Sequence, residues 1–186
     1  MFRLNSSSLY DQSTFYGRFY KDLRGARHRV VIESPFITQR RSMPLLSIVS
    51  KLKKRGVEIV VNTKPIEEHD SQYQEQATVV VEMMQDLGVK VLFTNGHHRK
   101  IAIIDDILYE GSLNRLSQND SCELTRRIDD ASSVREMIRF IRLEKWCKSR
   151  RLVTQQLATP QPKHLTHSLT YQFFEICSIL FACHLL

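Results

Sequence analysis

The sequence predicts an α/β fold: helices packed on the faces of a largely parallel sheet that ends in an antiparallel hairpin. Three observations carry this. Short apolar runs alternate with stretches of helical spacing from residue 8 to residue 93. Glycine or Ser-Pro closes most of these segments, a rhythm that suits parallel strands joined by helices. After residue 96, two apolar runs follow with only Asp105-Asp106 between them, which suits a hairpin and not a helical crossover.

Residues 8–24 read as an amphipathic helix, because Leu9, Phe15, Tyr16, Phe19, Tyr20 and Leu23 recur at helical spacing ahead of Gly25. RVVIE at 29–33, closed by Ser34-Pro35, reads as a buried strand. A helix is expected over 43–54, stopped by Gly56, and VEIVVN at 57–62 is the next strand. A further helix over 72–87 stops at Gly88, and VKVLF at 89–93 is the third strand. Residues 100–104 and 107–109 form the hairpin, closed by Gly111. Residues 122–127 are a candidate strand. A helix over 132–149 carries Val134, Met137, Ile138, Ile141 and Trp146 on one side. Past Arg151 the stretch TQQLATPQPKH reads as a linker. The expected organisation is one domain over residues 1–150, then a linker and apolar tail over 151–186.

That length and 42% hydrophobic content suit one globular domain with a real core and exclude wholesale disorder. The net charge of +7 favours a polyanionic partner, nucleic acid first and an anionic membrane surface second. Cys122, Cys147, Cys177 and Cys183 form no CxxC pair and fit no zinc spacing, so free thiols in a reducing cytoplasm are expected. The first thirty residues hold no apolar run of the signal-peptide kind, which also favours a cytoplasmic location. Residues 165–186 are apolar, but Gln172, Glu175 and His184 interrupt them short of the ~20 residues of a spanning helix. A helix packed on the domain or on a dimer is favoured there over membrane contact, and a tail without function stays open.

The chemistry lies in HRKIAIIDDILYEGSLNRLSQNDSCE, residues 98–123. Side chains alternate across a strand, so His98 and Lys100 share one face while Arg99 takes the other. Asp105, an odd number of positions from His98, points away from that face and reads as structural. Ser112 and Asn114 share a face on the returning run. The hairpin can therefore gather an imidazole, an ammonium, a hydroxyl and a carboxamide at one end of the sheet. Imidazole can attack phosphorus and form a covalent phosphoenzyme. The ammonium and the neutral donors can hold the non-bridging oxygens as charge builds there. No carboxylate cluster points to bound magnesium, so no metal or cofactor is expected. Each residue also has a bland reading: a solvated histidine (favoured for His97), a strand-end lysine, and turn residues at 112 and 114. Arg126 and Arg127 could touch phosphate, but paired arginines are more often simply solvated.

At these positions the chain resembles the phospholipase D superfamily, whose signature is HxK, four residues, Asp, about six residues, then GSxN. His98, Lys100 and Asp105 match in register, and Gly111-Ser112-Leu113-Asn114 matches in full, with the turn after Asp105 one residue short. VVIESPFIT resembles the first strand of such domains, and the likeness runs over roughly residues 24–146. It implies a mixed sheet flanked by helices on both faces. It implies a catalytic set of His98, Lys100, Ser112, Asn114 and the motif aspartate Asp105. Glu123 stands where the family often has an acid that orients the histidine; a solvated strand position is the alternative.

In-line attack needs a nucleophile on one side of phosphorus and a proton donor on the other. None of the other histidines belongs to a second HxK and GSxN pair. The second imidazole is therefore expected from another copy of the chain, in a homodimer with a composite site, as in small single-motif members of the superfamily. The expected activity is metal-independent DNA endonuclease cleavage. The alternatives are phospholipid cleavage, or a DNA-binding or helicase-associated module with little turnover.

Overall fold

A computed structural model describes residues 6–116 and 123–142, which lie within one compact unit, Met1–Leu143. Its strands are β1 (Ser6–Asp11), β2 (Arg29–Glu33), β3 (Glu58–Thr63), β4 (Lys90–Phe93), β5 (Ile101–Ile104), β6 (Ile107–Gly111) and β7 (Leu124–Asp129). Its helices are α1 (Gln12–Gly25), α2 (Gln39–Lys54), α3 (Ser71–Asp86) and α4 (Ala131–Phe140), with a 3-10 turn at Ile66–Glu68. The strands form one sheet in the order β1-β7-β6-β5-β2-β3-β4.

The sheet is mixed, and not largely parallel. Only β2–β3 and β3–β4 run parallel; β5 enters antiparallel to β2, and β6, β7 and β1 continue in that sense. The short joint at Asp105-Asp106 makes β5 and β6 antiparallel, because Ile104 pairs directly with Ile107 and no crossover can form. Asp105 takes a left-handed backbone (φ 51°), a conformation that Asp tolerates better than most residues. A two-residue turn thus absorbs the missing residue noted before Gly111.

One sheet face carries the main core. Val30, Ile32, Val61, Ala102 and Tyr109 meet Phe15, Phe19 and Leu23 of α1, Leu45 and Leu52 of α2, and Val80 and Met84 of α3. Phe15, Phe19 and Tyr109 pack with centroids 5.0–5.6 Å apart, pairs worth about 0.5–1.5 kcal/mol beyond area burial. The opposite face presents Val31, Val60, Ile103 and Leu108, all buried, and α4 lies against β6.

The helix expected over 8–24 begins only at Gln12, and the residues before it form β1. Asp11 stops the helix: its carboxylate accepts from the backbone N–H groups of Ser13 and Thr14, and Thr14 Oγ1 accepts from Asp11 N–H. Leu9 followed the helical period by coincidence. It lies on an edge strand opposite Arg126 and is 60% exposed. α2 starts at Gln39, one turn earlier than its apolar pattern suggested, and contains Pro44. Its first turn is tied down by Thr38 N–H donating to the Leu116 carbonyl at 2.8 Å. α4 begins as expected; Trp146, the four cysteines and the tail over 151–186 lie outside the described residues.

Candidate functional site

The site lies beyond the C-terminal ends of β2 and β3, where the chain enters β5. That end of a sheet built from parallel strands collects loops and free backbone groups. His98 and Lys100 precede β5 and their side chains meet, while Arg99 between them turns to Glu33. His98 is exposed and Lys100 half-buried, with Lys100 Nζ 3.2 Å from His98 Nδ1 and 3.3 Å from the His98 carbonyl. Burial is the main influence lowering the Lys100 ammonium below the ordinary lysine value. Glu123 opposes that shift, while the charges of Arg115 and Lys64 add to it.

The second half of the motif follows β6. Gly111 sits at φ 149°, and a Cβ there would lie 2.3 Å from the Leu124 carbonyl oxygen, so only glycine lets β7 approach. Ser112 is exposed and faces Leu124: Ser112 N–H and Oγ–H both donate to its carbonyl, and Leu124 N–H donates back to Oγ at 3.2 Å. Asn114 is 3% exposed, and its backbone carbonyl accepts from Tyr16 OH at 2.9 Å. Its carboxamide oxygen has no hydrogen-bond partner among the described residues.

Arg115 joins the two halves. This fully buried guanidinium donates to the carbonyls of Leu113 and Lys100 (3.1 Å to the latter) and to Thr125 Oγ1 at 3.0 Å, and it lies over the Phe15 ring. Burial pushes it down to about 10. Ser34 completes the mount, accepting Leu116 N–H at 3.2 Å.

Asp105 is not brought to this site. It occupies the hairpin turn at the other end of β5, and its carboxylate accepts the backbone N–H groups of Arg27, His28 and Arg29 at 2.8–2.9 Å. Burial alone would raise its carboxyl, but these three donors hold it below the ordinary value. The structure therefore places Asp105 among backbone donors of residues 27–29, apart from His98 and Lys100. Glu123 lies close enough for its charge to act on Lys100, Arg115 and Tyr16.

Two solvated readings fail. His97 is 3% exposed, and burial holds its imidazole below the usual histidine value. Arg127 is also buried, donating from Nε to Asp22 at 2.7 Å and from Nη2 to Asp129 at 3.2 Å. Arg126 is exposed and bonded to Ser7. The sequence reading missed Arg115 and Tyr16 as site residues. A lone arginine in the run NRL offers no periodic signal, and Tyr16 reads simply as a helix-face aromatic.

Among the described residues, no group of three or more His, Cys, Asp or Glu side chains is arranged to hold a metal ion. No described helix is long and apolar enough to cross a membrane.

Residues 19–143 match the family described as "Cardiolipin synthase, PLD-like domain". No curated protein matches the chain. Among solved structures, NucT from Helicobacter pylori is similar at TM-score 0.59 and 20% identity, over 74% of this chain and 93% of that one. Nuc from Salmonella typhimurium, titled a phospholipase D family member, gives 0.62 and 14%, over 79% and 97%. TrmBL2, titled an archaeal chromatin protein with a novel mode of DNA binding, gives 0.54 and 12%, over 80% and 55%. At these identities the likeness concerns the fold.

Proposed function

The chain belongs to the PLD-like domain family of the phospholipase D superfamily, and from that premise we propose that it is a metal-independent DNA endonuclease acting as a homodimer through His98. One observation carries the reading: an exposed imidazole with an ammonium 3.2 Å from its Nδ1, beside the GSLN loop that Arg115 ties to the same segment.

With Nδ1 facing Lys100, Nε2 is the ring nitrogen open to a substrate. A phosphodiester brings anionic oxygens that draw the Lys100 ammonium toward them, freeing Nδ1 to hold the imidazole proton. Nε2 then attacks phosphorus, the P–O bond to the leaving group breaks, and a phosphohistidine forms. Lys100, Ser112 and Asn114 hold the non-bridging oxygens. The His98 of a second copy, protonated, gives its proton to the leaving oxygen. Now neutral, it takes a proton from water as the water oxygen attacks phosphorus and the P–N bond breaks. Glu123 is assigned the orientation of the imidazole.

DNA is favoured as substrate by the net charge of +7 and by the fold shared with a DNA-binding chromatin protein. Phosphate contacts carry little sequence information, so weak sequence selectivity is expected. The family description points to a second substrate, a phospholipid phosphodiester. Purified protein incubated in excess EDTA with plasmid, oligonucleotides and anionic phospholipid vesicles distinguishes the readings. Cleavage of plasmid and oligonucleotide alone supports the DNA reading, and cleavage of lipid alone replaces it. Activity that vanishes with chelator and returns with magnesium overturns the metal-free mechanism.

A further inference from the structure

The segment bearing His98 and Lys100 is not part of the sheet ladder. The last pair between β2 and β5 is Glu33 with Ile101, and the last between β5 and β6 is Ile101 with Glu110. Residues 97–100 run on past both partners. Something other than strand pairing must hold the imidazole in place, because a reacting group misplaced by 1 Å can lose about 10²-fold in rate.

Two arginines reach this segment from its opposite faces. On one, Arg99 makes a fork to Glu33, with Nε at 2.5 Å and Nη2 at 2.8 Å from its carboxylate oxygens. Glu33 is fully buried and also accepts from Asn62 Nδ2 at 3.3 Å, while Thr94 Oγ1 donates to Asn62 Oδ1 at 3.0 Å. The latch therefore anchors residue 99 to β2, to β3 and to the residue that follows β4. On the other face, Arg115 binds the carbonyl of Lys100 together with Leu113 and Thr125. That fixes the ammonium's backbone to the GSLN loop and to β7. Planar guanidinium forks suit both tasks, since each fixes direction as well as distance.

We infer that Arg99 and Arg115 are positioning residues, a pair of clamps that set the His98–Lys100 segment from its two faces without touching substrate. The Arg99 clamp acts through Glu33, and neither clamp belongs to the HxK or GSxN signature. The catalytic consequence rests on the reading of the site given above; the mechanical one does not. In the chain of residues 1–186, Arg99→Met combined with Glu33→Gln removes the latch without stranding a buried charge. Arg115→Lys keeps a cation but loses the fork.

Amide hydrogen exchange of residues 98–101 should speed by about tenfold or more in both variants, with the amides of β3 unchanged. On an oligonucleotide substrate in EDTA, kcat should fall by about 10²-fold while KM moves by less than about threefold. Folded variants whose exchange at 98–101 matches the parent would overturn the clamp, whatever their activity. Faster exchange with kcat per folded molecule unchanged would overturn the positioning role and leave a purely structural one. A parent that cleaves no phosphodiester would sink the functional reading alone, since exchange still decides the clamp.

Discussion

Lys100 Nζ stands 3.2 Å from His98 Nδ1, so the imidazole and the nearest ammonium form one unit before any substrate arrives. Removing either member should have different consequences. His98→Asn should abolish turnover while leaving the melting temperature and DNA affinity close to the parent's, because an exposed side chain contributes little packing. Lys100→Ala should lower kcat by roughly 10²–10³-fold through lost transition-state stabilisation. Steady-state cleavage in EDTA, with binding measured on uncleaved DNA, checks both. A His98→Asn protein that cleaves at near-parent rate would show that the nucleophile lies elsewhere.

A composite site makes a stoichiometric prediction. Inactive His98→Asn chains mixed with parent chains under free exchange should form heterodimers with one imidazole per site, and these should be nearly inactive. Activity should fall as the square of the parent fraction. A linear fall, or full activity from a sedimenting monomer, would leave the second proton carrier to be sought within one chain.

Asp105 should behave as a structural residue. Asp105→Ala removes the acceptor for three backbone N–H groups and should cost roughly 2 kcal/mol, with cleavage rate per folded molecule unchanged. Its folded carboxyl lies below its unfolded value. The stability it contributes is therefore present above about pH 4 and lost as pH falls through the folded value. Denaturant melts between pH 3 and 7 should show a shallower acid limb for the variant than for the parent.

Gly111→Ala should be severe, because its Cβ would meet the Leu124 carbonyl oxygen at 2.3 Å and the Thr125 Cα at 2.8 Å, both backbone atoms of β7. A loss above about 3 kcal/mol is expected, combining overpacking with an unfavourable backbone conformation. Urea unfolding measures it.

The half-buried Asp22 carboxylate accepts from Arg127 at 2.7 Å, from Tyr109 OH at 2.5 Å and from Arg18 at 3.1 Å. Arg127→Met would leave that charge with Arg18 and Tyr109 as partners and should cost about 1.5–3 kcal/mol. Arg127→Met with Asp22→Asn should recover part of the loss, and a double-mutant cycle on melts isolates the coupling.

The sequence by itself determined the elements from β2 to β6, the hairpin at Asp105-Asp106 and the residues of the motif. These depend on local rules: apolar periodicity, turn residues, and the alternation that sends His98 and Lys100 to one face and Arg99 to the other. Tertiary structure alone decided the rest. Residues 6–11 became a strand because β7, over a hundred residues away, offered an edge to pair with, and Asp11 capped the helix behind it. His97 and Arg127 were buried by neighbours that their own positions in the chain do not reveal. Arg115, silent as a letter in NRL, acquired its role only when Lys100, Leu113 and Thr125 converged on it, because hydrogen-bond partners distant in sequence leave no periodic trace.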